Sequence, residues 1–451
     1  MRNKIHLIGS LKVFGSMLLR LLITIALGLG LLLAVYALPV DSVEANMKKS
    51  VEVIGAEAEH YISDYYIMTR WATSQQDNYM DSLMLLEAAD SKNDSLVNKA
   101  LNVNRGYIGS KNPDYVLIEH YISGISFDGE TDYPRYWHGY LIFIKPLLSV
   151  MDYGTIRIVN GIVQALLLVV ICLKLKKRKM TGYILPYILA YLMMMPIIMA
   201  RCLAYSVCYY IYSVGILVLL SMKEQSLAGK MHFVFLYMGI ALAYFDFLTY
   251  PIATFGIPAV FCLVIQNRVP FRKKLIDMIG NALSWCFGYG GMWLSKWTVA
   301  SLITGKNVIA DGIGQFLYRT GGDSDAEKFS VLACWFRNYK AFVKTPVTIL
   351  VFGFLVYMVY RIVKRRYTFD RKTFLLLLPF LLLFLAPVVW YTVALNHSSI
   401  HTWFTNKACV VSILALLFAP VYLLQSGEDQ NINQSGKKKK PDKRRGIYEL
   451  G

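Results

Sequence analysis

Four short strings in this 451-residue sequence carry side chains able to do chemistry. The first runs from Trp71 to Leu85 and contains Asp77, Asn78, Tyr79 and Asp81. Two carboxylates four residues apart share one helical face. A carboxylate at a desolvated interface has its pKa raised and can take a proton from an attacking hydroxyl, so this pair could supply a general base, with Asn78 beside it to bind substrate. The plainer reading is solvated helix acids, because the region from Asp41 to Arg135 holds 16 of them. Asp246 stands differently, near the end of an otherwise apolar run, Tyr244 to Pro251. An ionisable group inserted into lipid costs roughly 2.5 to 3.5 kcal/mol, so its retention points either to catalysis or to a structural bond between helices.

The third string holds His397 and His401, which are i and i+4 on a helix. Such a pair can bind zinc, but Ser398, Ser399 and Ile400 between them supply none of the acid of a zinc-protease helix. Neutral imidazoles can instead bind a phosphate or a sugar hydroxyl, or simply cap their own loop. The fourth string is Tyr133 to Tyr140 with Arg135 and His138, leading into Lys145. With Arg201 and Arg319 from other turns, these residues offer cations that match phosphate oxygens. As interface anchors they would be explained singly, though less well as a set. Gly288, Gly290 and Gly291 follow no strand and lie in an apolar run, so they read as a helix-packing surface and not a nucleotide loop.

The elements that must position these groups are membrane helices. Hydrophobic residues make up 56% of the chain and charged ones 17%, with a mean hydropathy of +0.44. About 20 apolar residues span a bilayer core. Ten runs qualify: Leu21 to Val40, Thr155 to Leu173, Gly182 to Ala200, Leu203 to Met222, His232 to Tyr250, Ile252 to Gln266, Leu275 to Ile303, Pro346 to Val363, Thr373 to Ala394 and Ala408 to Leu424. The expected fold is therefore an all-α polytopic membrane protein of about ten transmembrane helices.

Net charge is +18, yet it is segregated. Asp41 to Arg135 carries 16 acids against 8 bases, while basic clusters stand at alternate helix ends, as at Lys174 to Lys179, Arg268 to Lys274 and Arg361 to Lys372. The positive-inside rule puts those clusters and both termini in the cytoplasm, and it removes nucleic acid as a partner. Leu21 to Val40 is too long for a cleaved signal core and reads as a retained anchor. Six of the seven cysteines lie in or beside apolar runs, so no disulfide framework is expected.

The chain then divides into a basic leader and first helix (1–40), a large helical extracytoplasmic loop with interfacial helices (41–154), helices 2 to 10 with an outer loop at 304–344 (155–424), and a disordered basic tail (425–451). Tyr140 to Met151 is too short to cross and is placed in the outer interface.

A basic leader, one helix, a long outer loop with an early Asp77-Asn78-Tyr79 string and then many short-looped spans resembles the GT-C superfamily of polytopic glycosyltransferases. The Arg135 to Gly139, Phe245 to Thr249 and Asn396 to Phe404 strings look similar to ones in uncharacterised bacterial members. The resemblance implies an enzyme of the bacterial plasma membrane that moves a sugar from a polyprenyl-phosphate donor to a cell-envelope glycan or lipid acceptor at the outer face. Asp77, with Asp81, would stand where the family carries its catalytic acid. No cofactor is certain, and a divalent cation (Mg or Mn) bridging Asp77, Asp81 and phosphate is left open. Rival readings are a flippase for a lipid-linked saccharide, which would predict internal repeats, and a polysaccharide polymerase, which would carry its large loop late.

Overall fold

In the computed structural model, residues 2–57, 72–322, 327–367 and 369–437 are described, and they are overwhelmingly helical. Among the described residues six helices are long and apolar enough to cross a membrane: Leu11–Tyr36, Tyr153–Lys177, Leu203–Ser221, Val347–Lys364, Arg371–Val393 and Thr402–Ser426. Their exposed residues are large and apolar, for example Leu27, Ile162, Leu166, Phe352 and Val363. Surfaces of this kind need lipid as solvent, because in water such a belt would aggregate. The chain is an all-α membrane protein.

The other four apolar runs are also helical, and two of them are interrupted for reasons legible in the sequence. The run from Gly182 to Ala200 breaks at Met195, which takes a left-handed backbone (φ 57°), and restarts at Pro196 in the first helical turn. The run from His232 ends as a helix at Phe245. Asp246 follows, and its carboxylate accepts from the Thr249 amide (2.8 Å) and hydroxyl (2.6 Å), closing a turn before the helix Ile252–Ile265. The helix Phe271–Thr304 packs along Glu224–Phe245 through two glycines. A Cβ on Gly239 would lie 2.2 Å from the Trp285 carbonyl oxygen, and one on Gly288 2.3 Å from that of Leu236. Only glycine lets these backbones approach so closely.

Between the first and second long helices lies a folded cap. It holds the helices Asp41–Gly55, Asn78–Ala88, Leu96–Asn102, Pro113–Tyr121 and Leu141–Leu148. It is not purely helical, since Asn104–Tyr107 pairs antiparallel with Gly129–Asp132. Two further short helices, Val308–Thr320 and Val331–Val343, stand in the segment expected to be a polar loop. The last helix, Val410–Lys437, extends past residue 425 into the segment expected to be the tail.

Candidate functional site

Asp77 is not a helix-face residue. It is the N-cap of Asn78–Ala88, its carboxylate accepting from the Met80 amide at 3.0 Å. Its other oxygen accepts from the Trp403 indole at 2.9 Å, 326 residues away in sequence. Asp81 points into the protein, where its oxygens accept from the Leu203 amide (2.8 Å), the Ala204 amide (3.0 Å) and the Tyr153 hydroxyl. Those two amides open the helix Leu203–Ser221, so Asp81 caps another helix. Burial pushes its carboxyl up, while Arg157 and these hydrogen bonds pull it back. Both oxygens are engaged by donors, and no three His, Cys, Asp or Glu side chains converge among the described residues.

Beside Asp77 lies a cluster that sequence reading missed. Glu57 accepts from Arg157 (2.7 Å), from Arg201 and from the Asn78 amide group (3.1 Å). Burial raises the Glu57 carboxyl, but the two guanidinium groups outweigh it and hold it below the usual range. Arg201, expected to meet phosphate, is thus matched to a carboxylate. Glu57 had no distinguishing mark among sixteen acids. Arg157 did have one, being a guanidinium inside an apolar run, and that signal was passed over.

Across the His397 to Phe404 segment lies a second arrangement. The His397 Nε2 donates to the Leu248 carbonyl (2.8 Å), so its Nδ1 bears the lone pair that faces Arg319 Nη1 at 3.0 Å. Burial and the adjacent guanidinium keep His397 well below the ordinary histidine range. It is a neutral acceptor. The same turn that Asp246 closes fixes Leu248 (φ 72°), whose carbonyl receives His397. Asp246 thus stands two contacts from Arg319. His401 rings contact His397 (4.8 Å between centroids) and Trp403 (5.1 Å), and burial followed by Arg319 brings its pKa down to about 4. A continuous path of contacts therefore runs from Arg319 through His397, His401 and Trp403 to Asp77.

Arg319 lines a cavity of about 440 Å³ with Tyr136, Tyr289, Trp293, Trp297 and Arg135. Of the site residues expected from sequence, only Arg135 and Arg319 face it. Arg135 is paired with Asp311 at 2.8 Å. Arg319 has no carboxylate partner among the described residues. At the cavity rim Leu294, Ile313, Phe316 and Val393 are exposed, so the cavity opens on an apolar flank.

Two expected headgroup cations are corrected. Lys145 is 1% exposed, its Nζ without a hydrogen-bond partner and 5.1 Å from the Tyr36 ring centroid. Burial lowers its pKa to about 8. His138 is also buried, with Nδ1 3.1 Å from Glu87, Nε2 donating to the Tyr133 carbonyl (2.8 Å), and a left-handed backbone. Neither group lines the cavity. The spacing that placed them at the interface was right for the chain but blind to the direction of the side chains.

No protein-family model, no curated protein and no solved structure matches this chain.

Proposed function

We propose that this chain is a membrane glycosyltransferase of the GT-C type, with about ten spans and both termini in the cytoplasm of a bacterial cell. It would take a polyprenyl-phosphate-linked sugar as donor and a cell-envelope glycan or lipid as acceptor. One observation carries the reading: Arg319 is a guanidinium without a counterion among the described residues, held by a neutral histidine in an aromatic-walled cavity that opens on an apolar flank. A partly desolvated charge without a counterion is costly, so such a site favours an anion arriving from the lipid side. A polyprenyl phosphate has that chemistry, because its tail stays in the bilayer and its phosphate reaches only the interface. Aromatic rings such as Trp293 and Trp297 suit both the isoprene units next to the phosphate and the apolar face of a sugar.

The reaction is a single displacement. Asp77 takes the proton of the acceptor hydroxyl, the oxygen bonds to the anomeric carbon, the bond from that carbon to the phosphate oxygen breaks, and Arg319 receives the phosphate charge as it develops. The donor spans the His397 to Phe404 segment, with its phosphate at Arg319 and its sugar toward Asp77. No nucleotide takes part.

Binding of a polyprenyl phosphate to the detergent-purified protein tests this, read by native mass spectrometry. Wild type is expected to retain the lipid, and Arg319→Gln to bind it at least tenfold more weakly, with the parent polyprenol bound equally poorly by both. Equal retention of phosphate and alcohol by wild type would remove Arg319 as the phosphate site.

A further inference from the structure

We infer that the helices Val308–Thr320 and Val331–Val343 lie in the headgroup layer of the bilayer, and that the face of Val331–Val343 turned away from the protein is seated on anionic phospholipid. The inference is independent of the reaction proposed above.

Placement comes first. Val308 begins a few residues after the long helix Phe271–Thr304 ends, and Val343 ends just before Val347–Lys364 begins. Each short helix is thus tethered at the level where a long apolar helix meets the cap. The Trp335 indole donates to Thr392 Oγ1 (3.2 Å), on another long helix at its last turn, which fixes Val331–Val343 at the same level.

The two faces of Val331–Val343 then divide its residues. Cys334, Asn338 and Phe342, at i, i+4 and i+8, are buried. Asn338 donates to the Ser398 carbonyl (3.0 Å) and accepts from Thr405 (2.8 Å), which docks that face on the histidine segment. Leu332 and Phe336, at i and i+4 of the other face, are 69% and 68% exposed. Val308–Thr320 repeats the pattern, with Val308 and Gly312 buried and Ile313, Phe316 and Leu317 exposed. Apolar side chains this exposed along one face of two short helices, at the level where the long apolar helices end, fit lipid better than water.

Charge identifies the lipid. Val331 to Lys344 contains Arg337, Lys340 and Lys344 and no acid, the nearest acids in sequence being Asp323, Asp325 and Glu327 before the helix begins. Lys340 reaches over the Phe336 ring, Nζ 5.8 Å from its centroid, so a cation borders the apolar stripe. An apolar stripe edged by cations fits anionic headgroups above acyl chains, whereas a water-soluble protein partner would leave Leu332 and Phe336 needing a matched pocket.

The test uses the full chain in lipid nanodiscs, with a bimane label on Phe336→Cys in a background where Cys172 and Cys286 are serine. The label is expected to be quenched by brominated lipid and not by aqueous iodide, and at least twice as strongly by brominated phosphatidylglycerol as by brominated phosphatidylcholine. In Lys340→Gln with Lys344→Gln that preference is expected to fall toward one. Quenching by iodide places the face in water and overturns the inference. Protection from both quenchers means that a second copy or another protein covers it, which overturns it equally. Equal quenching by the two lipids refutes the anionic preference.

Discussion

Arg319 and His397 meet at 3.0 Å with the guanidinium donating and the imidazole accepting, an arrangement open only to the neutral ring. The Leu248 carbonyl enforces it by taking the one ring proton from the opposite nitrogen. His397→Gln retains an acceptor, whereas His397→Phe removes it and frees the guanidinium to turn. Affinity for polyprenyl phosphate is expected to fall within about threefold for Gln and at least tenfold for Phe, about 1.4 kcal/mol or more. If Phe bound as well as wild type, the histidine would have no positioning role.

Asp77→Asn separates chemistry from folding. Asparagine caps a helix about as well as aspartate, but its one amide oxygen can serve either the Met80 amide or the Trp403 indole, so apparent Tm is expected to fall modestly, by the loss of one hydrogen bond worth about 0.5 to 1.5 kcal/mol. Transfer from a polyprenyl-phosphate donor is expected to drop by at least 100-fold, since an amide cannot take the hydroxyl proton. Near-normal transfer by a well-folded Asp77→Asn protein would eliminate Asp77 as the base.

Asp81→Ala should behave in the opposite way. It leaves the Leu203 and Ala204 amides and the Tyr153 hydroxyl without their buried acceptor. Each orphaned donor costs about 1 to 3 kcal/mol, so the expected result is a large fall in thermal stability or loss of folded protein. Any folded fraction should keep its ability to bind polyprenyl phosphate, because Asp81 does not line the cavity.

Acid should destabilise the fold through its histidines. His401 has a pKa of about 4 against 6.5 when unfolded, and His397 is also shifted down. Between those values the unfolded chain binds the proton and the folded one does not, so stability is full above about pH 6.5 and falls as pH drops toward 4. For His401 alone the loss is on the order of 3 kcal/mol. His401→Phe should flatten the fall in apparent Tm over that window, and an unchanged slope would rule out this source.

Lys145 gives the same sign in an alkaline window. With a pKa of about 8 when folded and 10.5 when unfolded, the unfolded chain holds the extra proton between those values, so stability rises with pH across that range. Below about pH 8 the folded state bears the full cost of the buried charge. Lys145→Met is expected to raise stability at pH 7 by about 1 to 3 kcal/mol and to abolish the alkaline rise, as measured by thermal unfolding at pH 7 and 10.

The sequence by itself determined the solvent of this protein. Apolar runs near bilayer length, with bases gathered at alternate ends, fix an all-α membrane chain because backbone groups in lipid must be satisfied within helices. It also singled out Asp246, Arg319 and His397, whose residue types are costly or conspicuous where they stand. Directions and partners were decided only by the tertiary structure. Asp77 and Asp81 are four residues apart in sequence, yet one faces Trp403 and the other caps a helix that begins at Leu203. Arg201 looks like Arg319 in the sequence, and only the tertiary structure shows that Arg201 meets the carboxylate of the distant Glu57 while Arg319 meets a histidine. Sequence spacing reports which residues share a face, but a hydrogen bond or a counterion is made with whatever element packs there, and in this chain those elements come from hundreds of residues away.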